Sequence, residues 1–100
     1  MLTSKQRKSL RQIAHHLEPV VTISDKGLSD TVLEELQRAL RDHELIKVKL
    51  VADREGRAAL AVQLSERTES EVVQSIGKVL VVYKENPRPN PKLSNLARFS

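Results

Sequence analysis

The sequence contains no cysteine and no tryptophan, and its aromatic residues are one tyrosine and one phenylalanine. Without cysteine the chain can have no disulfide framework, no thiolate metal ligand and no thiol nucleophile, which fits a reducing compartment. Its apolar runs reach about five residues, far short of the roughly 20 that a membrane-spanning helix needs. No apolar segment follows the N-terminal charges, so no secretion signal is predicted. We therefore expect a cytoplasmic protein that does not cross a membrane.

The residues that usually support catalysis or metal binding are also scarce. His15 and His16 are adjacent, so on a helix their side chains point about 100° apart and cannot hold one ion as an i, i+4 pair could. His43 precedes Glu44 at a predicted helix-to-strand junction, where a surface or capping role is the simpler interpretation. The sequence has no glycine-rich nucleotide loop and no G-x-S-x-G elbow. We predict no enzymatic activity, no metal and no cofactor.

The net charge of +4 is distributed unevenly along the chain. Residues 1–16 carry +4 and residues 84–100 carry +3, whereas residues 17–83 carry −3. Basic end segments on a less basic body indicate a polyanionic partner, usually a nucleic acid. The alternative is ordinary solubilising charge.

Apolar periodicity predicts three helices and four strands. A first helix should start near Ser4, because Thr3 and Gln6 form a capping box. Two more helices follow the caps Ser29 and Asp53, although the short apolar run at 58–64 leaves a strand possible in the third. The predicted strands cover residues 19–23, 45–52, 71–76 and 79–83, and a tight turn at Gly77-Lys78 joins the last two.

These elements predict an α/β domain of order α-β-α-β-α-β-β, with a four-stranded mixed sheet and three helices, over residues 1–84. The last strand is apolar at almost every position, which predicts a central place in the sheet. Residues 85–100 are polar, basic and proline-rich. We predict that they form a flexible tail that adds no core element.

The chain has too few aromatic residues for a sheet that stacks two or three bases. Binding of a nucleic acid would then depend on phosphate contacts, the mode expected for structured RNA. The candidate cations lie on the first helix, on the alternating second strand, in the hairpin turn and just after the last strand: Lys5, Lys8, Arg11, Lys47, Lys49, Lys78 and Lys84.

The loop "TISDKGLSD", residues 22–30, connects the first strand to the second helix. Gly27 would let the backbone approach a phosphate, Lys26 would add a charge, and main-chain amides beside the helix N-terminus would donate. The alternative is that Gly27 only turns the chain into a capped helix, and the negative charge of Asp25 favours that alternative.

Four stretches carry a resemblance to a known family: "LTSKQRKSLRQIAHHLEPVV", "KGLSDTVLEEL", "HELIKVKL" and "VVQSIGKVLVVYK". Over residues 2–84 the sequence resembles the YhbY family, the bacterial stand-alone form of the CRM (chloroplast RNA splicing and ribosome maturation) domain. The resemblance implies a fold similar to the C-terminal domain of translation initiation factor three. It also implies an RNA-binding protein whose partner is ribosomal RNA in precursors of the large ribosomal subunit. We expect the protein to be a monomer.

In that family the loop matching residues 24–27 usually reads G-x-x-G and is compared with the backbone-clamping loop of KH domains. Ser24 stands here at the first glycine position, while Gly27 and Lys26 match the pattern. Gly77 and the lysines at 47, 49, 78 and 84 also lie in matching stretches. The alternative function is a protein-interaction adaptor without a direct RNA role, which docks through the acidic face of the second helix and through the basic first helix.

Overall fold

Helices and strands alternate along the chain in the predicted order, and a short fourth helix follows them. The computed structural model describes residues 2–99. The elements are α1 (Ser4–Ala14), β1 (Pro19–Ser24), α2 (Asp30–His43), β2 (Leu45–Val51), α3 (Arg54–Thr68), β3 (Glu71–Ile76), β4 (Val79–Tyr83) and α4 (Asn95–Phe99). Within the described residues, no helix has the length and apolarity required to span a bilayer.

Each of the three long helices begins at the cap that the sequence predicts. The Thr3 side chain accepts a hydrogen bond from the Gln6 amide, and the Gln6 side chain accepts one from the Thr3 amide. The Ser29 side chain accepts a 3.2 Å hydrogen bond from the Val32 amide and so caps α2. The Asp53 carboxylate accepts a 2.7 Å hydrogen bond from the Gly56 amide, so the ambiguous third segment is a helix.

The sheet has the strand order β1-β2-β4-β3. β1 and β2 are parallel, whereas β4 is antiparallel to both of its neighbours. β4 thus lies between β2 and β3, although it comes last in the chain. Its three middle residues are buried because helices cover it on both faces, which confirms the central place that its continuous apolar sequence predicts.

Two core clusters lie on opposite faces of the sheet. The larger cluster packs α2 and α3 against one face and includes Ile23, Leu36, Val48, Leu64 and Leu80. The smaller cluster packs α1 and Leu96 against the other face and includes Leu10, Ile13, Leu45, Val73 and Val81. Side chains alternate along β2, so Lys47 and Lys49 project on the α1 side.

The segment after β4 differs from the predicted tail. Ser94 and Asn95 are buried, and Leu96 packs on the smaller core cluster. The Asn95 side chain donates to the Leu45 carbonyl at 2.7 Å, and the His43 ring nitrogen Nδ1 lies 2.8 Å from the Leu93 carbonyl. The prediction that residues 85–100 add no core element is therefore wrong for residues 94–96, while Ser100 lies outside the described residues.

Glu44 is the main anchor for this segment. Its carboxylate accepts hydrogen bonds from the Ser94 hydroxyl at 2.8 Å and the Asn86 amide at 2.9 Å, and its carbonyl accepts one from the Lys84 amide. Glu44 has a φ of 62°, a conformation that is costly for a residue with a side chain. Local composition did not reveal the packing, because polar residues far apart in sequence hold the segment.

Candidate nucleic-acid interface

Three of the predicted lysines lie at one end of the sheet, which we call the hairpin end. It consists of the loop 24–29, the last residues of β2 and the β3–β4 turn at 77–78. The Leu50 amide donates to the Lys78 carbonyl at 2.7 Å, and Ser24 pairs with Val51 in the β1–β2 register. These contacts bring together Lys26, Lys49 and Lys78.

Two other predicted lysines lie at the opposite end, which we call the tail end. Lys84 follows β4 beside Glu44, and the Leu2 amide that precedes α1 donates to Glu71, so Lys5 in the first turn of α1 also lies here. β2 has seven residues, so the two ends are separated by about 20 Å. The folded chain therefore does not gather all predicted cations into one site.

The tail end is rich in carboxylates. A concavity beside α1 is lined by Glu69, Glu71 and Glu85 together with Tyr83 and Lys84. Burial raises the pKa of the Tyr83 hydroxyl, and the nearby carboxylates of Glu44, Glu85 and Glu71 raise this pKa further. This potential works against a phosphate contact by Lys84.

Along α1, the basic side chains have different roles. The Arg7 guanidinium donates to the carbonyls of Val72 and Val73, where β3 departs from regular register, so it stabilises the sheet. Lys8 remains exposed and Arg11 is half-buried. The helix then leads to His15 at its C-terminal cap.

His15 and Lys47 line the same groove, on the part of the sheet that α1 leaves open. The groove has a volume of about 280 Å³, and its other lining residues are Ala14, Gln74, Ile76, Val79 and Val81. None of the lining residues in the described part of the chain is a carboxylate. Among residues 2–99, neither Lys47 nor Lys49 has a carboxylate within 4.0 Å, so their charges are available to a ligand.

The loop 24–27 has one left-handed residue rather than two. Gly27 has a φ of 89°, whereas Ser24 ends β1 and is not among the positive-φ residues of the described chain. Serine at the first glycine position of the family pattern therefore costs no backbone strain. The Ser24 side chain also accepts from the Lys26 amide at 3.3 Å, and its carbonyl accepts from the Gly27 amide at 3.0 Å.

These two hydrogen bonds change the predicted role of the loop amides. The amides of Lys26 and Gly27 already have acceptors inside the loop, so a phosphate could reach them only by displacing Ser24. Of the amides expected to face a phosphate, those around Lys26, Gly27 and Leu28, the first two are therefore engaged inside the loop in this geometry. The exposed Lys26 side chain is the clearest phosphate donor that the loop presents.

Comparison with known proteins places this geometry in a family. The family model described as the CRS1 / YhbY (CRM) domain matches residues 2–84. The chain belongs to this family. The match covers α1 through β4 and thus includes every residue that sequence analysis selected for RNA binding.

The relatives are similar over most of the chain. The Probable RNA-binding protein PA4753 of Pseudomonas aeruginosa is 52% identical over 100 residues, covering 99% of this chain and 96% of the relative. An RNA-binding protein of Haemophilus influenzae is 44% identical, with coverages of 83% and 85%. The solution structure of SAV1595 from Staphylococcus aureus, a candidate RNA-binding protein, superposes with a TM-score of 0.77 at 37% identity, covering 88% of this chain and 93% of that one. This structure and this chain share the CRM-domain fold.

Sequence reasoning missed the apolar side chains beside the lysines. The sequence predicts a hairpin strand that contains Ile76, but it does not predict which face of the sheet Ile76 occupies. It also indicates no binding role for Gln74. The β3 bulge changes the register between Val72 and Gln74, so simple alternation from the strand start fails there. Arg98 and Phe99 also line a cleft beside Lys47, although they belong to the segment that was expected to lie outside the domain.

Proposed function

We propose that this protein is a non-enzymatic, monomeric, cytoplasmic RNA-binding factor that acts in assembly of the large ribosomal subunit. It grips structured ribosomal RNA through backbone phosphates, and residues 1–84 carry the binding. The observation that carries the proposal is the concentration, at the hairpin end and on the open sheet, of lysines that have no ion-pair partner among residues 2–99. They lie in a chain whose family includes relatives named RNA-binding proteins.

The proposed contact surface runs from α1 across the open sheet to the hairpin end. Its cations are Lys8 and Arg11 on α1, Lys47 and Lys49 on β2, and Lys26 and Lys78 in the loops. Gly27 and Gly77 shape those loops through positive φ values of 89° and 55°. Lys84 takes a smaller part because it lies among the carboxylates of the tail end, and Lys5 does so because it lies at the same end, away from the other cations.

The test is binding of purified protein to fragments of large-subunit ribosomal RNA at several salt concentrations, with sedimentation of cell extracts on gradients. We expect affinity to fall steeply with salt, with a log–log slope of several units, and the protein to sediment with large-subunit precursors. Charge reversal of Lys8 and Arg11 should abolish RNA retention. Weak, salt-insensitive binding and no sedimentation with ribosomal particles would refute the proposal.

The exposed acidic residues Glu34 and Glu35 on α2 support the adaptor alternative, because they present negative charge on the face of the domain away from the lysines. Nuclease treatment separates the two functions. A protein partner that stays bound after RNA is digested, and that is lost when Glu34 and Glu35 are reversed in charge, would favour the adaptor.

A further inference from the structure

The part of the sheet that α1 leaves uncovered exposes large aliphatic side chains. Ile76 is 62% exposed, Val20 is 53% exposed and Val51 is 41% exposed. All three lie on the α1 side of the sheet, because the opposite face is filled by the larger core cluster. Exposed apolar side chains grouped on one face beside lysines indicate a contact surface.

The strand registers place these side chains in rows with the lysines. Ile76 pairs with Val79 across β3 and β4, Val79 pairs with Lys49 across β4 and β2, and Lys49 pairs with Thr22 across β2 and β1. Adjacent strands are about 4.8 Å apart, so the row runs from an aliphatic platform to a lysine within roughly 10 Å. The next row repeats the order with Gln74, Val81 and Lys47.

The charge of this surface selects its partner. Among the described residues, the groove lining includes Lys47, His15 and the neutral hydrogen-bonding group of Gln74, and it includes no carboxylate. An aliphatic floor with cations beside it matches a nucleotide, because a base has apolar faces and its phosphate is an anion. Unpaired bases in loops and bulges are the parts of an RNA that can lie on such a floor.

We propose that the open sheet face holds an unpaired nucleotide of the bound RNA, with its base against Ile76 and Val79 and adjacent phosphates on Lys47 and Lys49. This inference rests on the proposed RNA-binding function and adds to it a class of ligand, RNA with unpaired bases. Aliphatic side chains make this contact in place of the aromatic platform that the sequence lacks. Because every base has an apolar face, the site should be tolerant of base identity.

A matched pair of variants tests the proposal. Ile76→Thr removes apolar surface from the open face and retains a β-branched residue suited to a strand. Val62→Thr makes a comparable change on α3, where Val62 is 57% exposed. The probes are an RNA hairpin with a five-nucleotide unpaired loop and a blunt RNA duplex with the same number of phosphates.

We expect Ile76→Thr to weaken binding of the looped hairpin about fivefold and to leave duplex affinity unchanged, since only the lost apolar contact differs. Val62→Thr should change neither affinity. Ile76→Leu, which keeps an aliphatic side chain, should bind the looped hairpin as the wild type does. Retained duplex affinity shows that the variant is folded.

The inference would be overturned, with the proposed function intact, if Ile76→Thr bound the looped hairpin with unchanged affinity or lost the same affinity for the looped hairpin and for the duplex. Loss of a nuclease-resistant protein partner with unchanged RNA binding would also overturn it, by assigning the surface to a protein. Failure of the wild type to bind either RNA would instead refute the proposed function, and the inference with it.

Discussion

The hairpin end and the tail end of the sheet differ in how their polar groups are used. At the tail end, direct hydrogen bonds join the α2–β2 junction, which contains Glu44, to the C-terminal segment, which contains Asn86 and Asn95. At the hairpin end, Lys26, Lys49 and Lys78 have no carboxylate within 4.0 Å among the described residues. Polar groups satisfied inside the fold stabilise it, whereas unpaired charges at a surface are available to a partner.

The same comparison explains why total charge is a poor guide to the site. Lys84 and Lys47 carry the same charge, but Lys84 lies beside a cluster of carboxylates, whereas Lys47 lines a groove whose described lining residues include none. Nearby charges set the local potential, so a lysine among glutamates attracts phosphate weakly. Substitutions of the open-face lysines should therefore change RNA affinity, whereas substitutions at the tail end should change stability.

The largest expected effect is on RNA affinity. The double change Lys47→Glu and Lys49→Glu should lower the affinity for ribosomal RNA at least about 100-fold at low salt. Two phosphate contacts are lost, and the new carboxylates repel the RNA backbone. The measurement is filter binding or fluorescence anisotropy at fixed ionic strength. Lys84→Glu is the control, and we expect a change of less than about threefold. Equal losses from both proteins would erase the distinction between the two ends.

The next effect is on stability at the tail end. Glu44→Ala removes the acceptor for the Ser94 hydroxyl and the Asn86 amide, which should cost about 2–4 kcal/mol of unfolding free energy. Urea denaturation measures it. Glu69→Ala is the matched control, because Glu69 also has a positive φ of 55° but is exposed, and its side chain makes no hydrogen bond to another element within residues 2–99. RNA affinity of folded Glu44→Ala should match the wild type, and a large loss would show that the ends are coupled.

A smaller effect is expected at Gly27. Apart from the adjacent residues in the chain, a Cβ atom at Gly27 or Gly77 would have no heavy atom of the described residues within 4 Å. Alanine at either position therefore adds strain from positive φ without a clash. Each change should cost about 1–2 kcal/mol of stability. We expect Gly27→Ala to weaken RNA binding more than Gly77→Ala does, because it also alters the loop that carries Lys26. Normal RNA binding by Gly27→Ala would mean that the loop is only a turn.

The smallest effect is a dependence of stability on alkaline pH. The raised pKa of Tyr83 means that the folded state holds the phenol proton more tightly than the unfolded state. The contribution of this proton to the free energy of unfolding is fully present below about pH 10, the pKa of tyrosine in the unfolded chain. It is lost as the pH rises through the higher pKa of Tyr83 in the folded state. Tyr83→Phe should remove this part of the alkaline loss in thermal melts between pH 9 and about 11. An unchanged alkaline profile in Tyr83→Phe would contradict the assignment.

Local signals predicted the elements of the fold because each has a local cause. The caps Thr3, Ser29 and Asp53 start helices at the expected residues, and the continuous apolar sequence of β4 marks a central strand. The docking of residues 85–99 could not be predicted in this way. Glu44 and Ser94 are 50 residues apart, and neither residue has a sequence context that reveals the bond between them.

The site was predictable only in part for a similar reason. The lysines of β2 were identified by alternation, and their solvent-facing side is confirmed by the structure. The separation of Lys5 and Lys84 from the hairpin end depends on where strands begin and end in space. The face of the sheet on which Ile76 is exposed depends on the β3 bulge, and Arg7 of α1 stabilises that bulge.

The salt dependence of RNA binding tests the central claim most directly. One variant is a triple glutamine change at the hairpin end, at Lys26, Lys49 and Lys78. The matched variant changes Lys5, Lys84 and Lys92 at the tail end, where Lys92 lies two residues before the Ser94 that Glu44 binds. Each lost phosphate contact lowers the slope of log affinity against log salt by about 0.7–0.9. The account predicts that the hairpin-end variant loses about two units of slope and the tail-end variant less than about one. Equal slopes for the two variants, or a larger loss at the tail end, would contradict it.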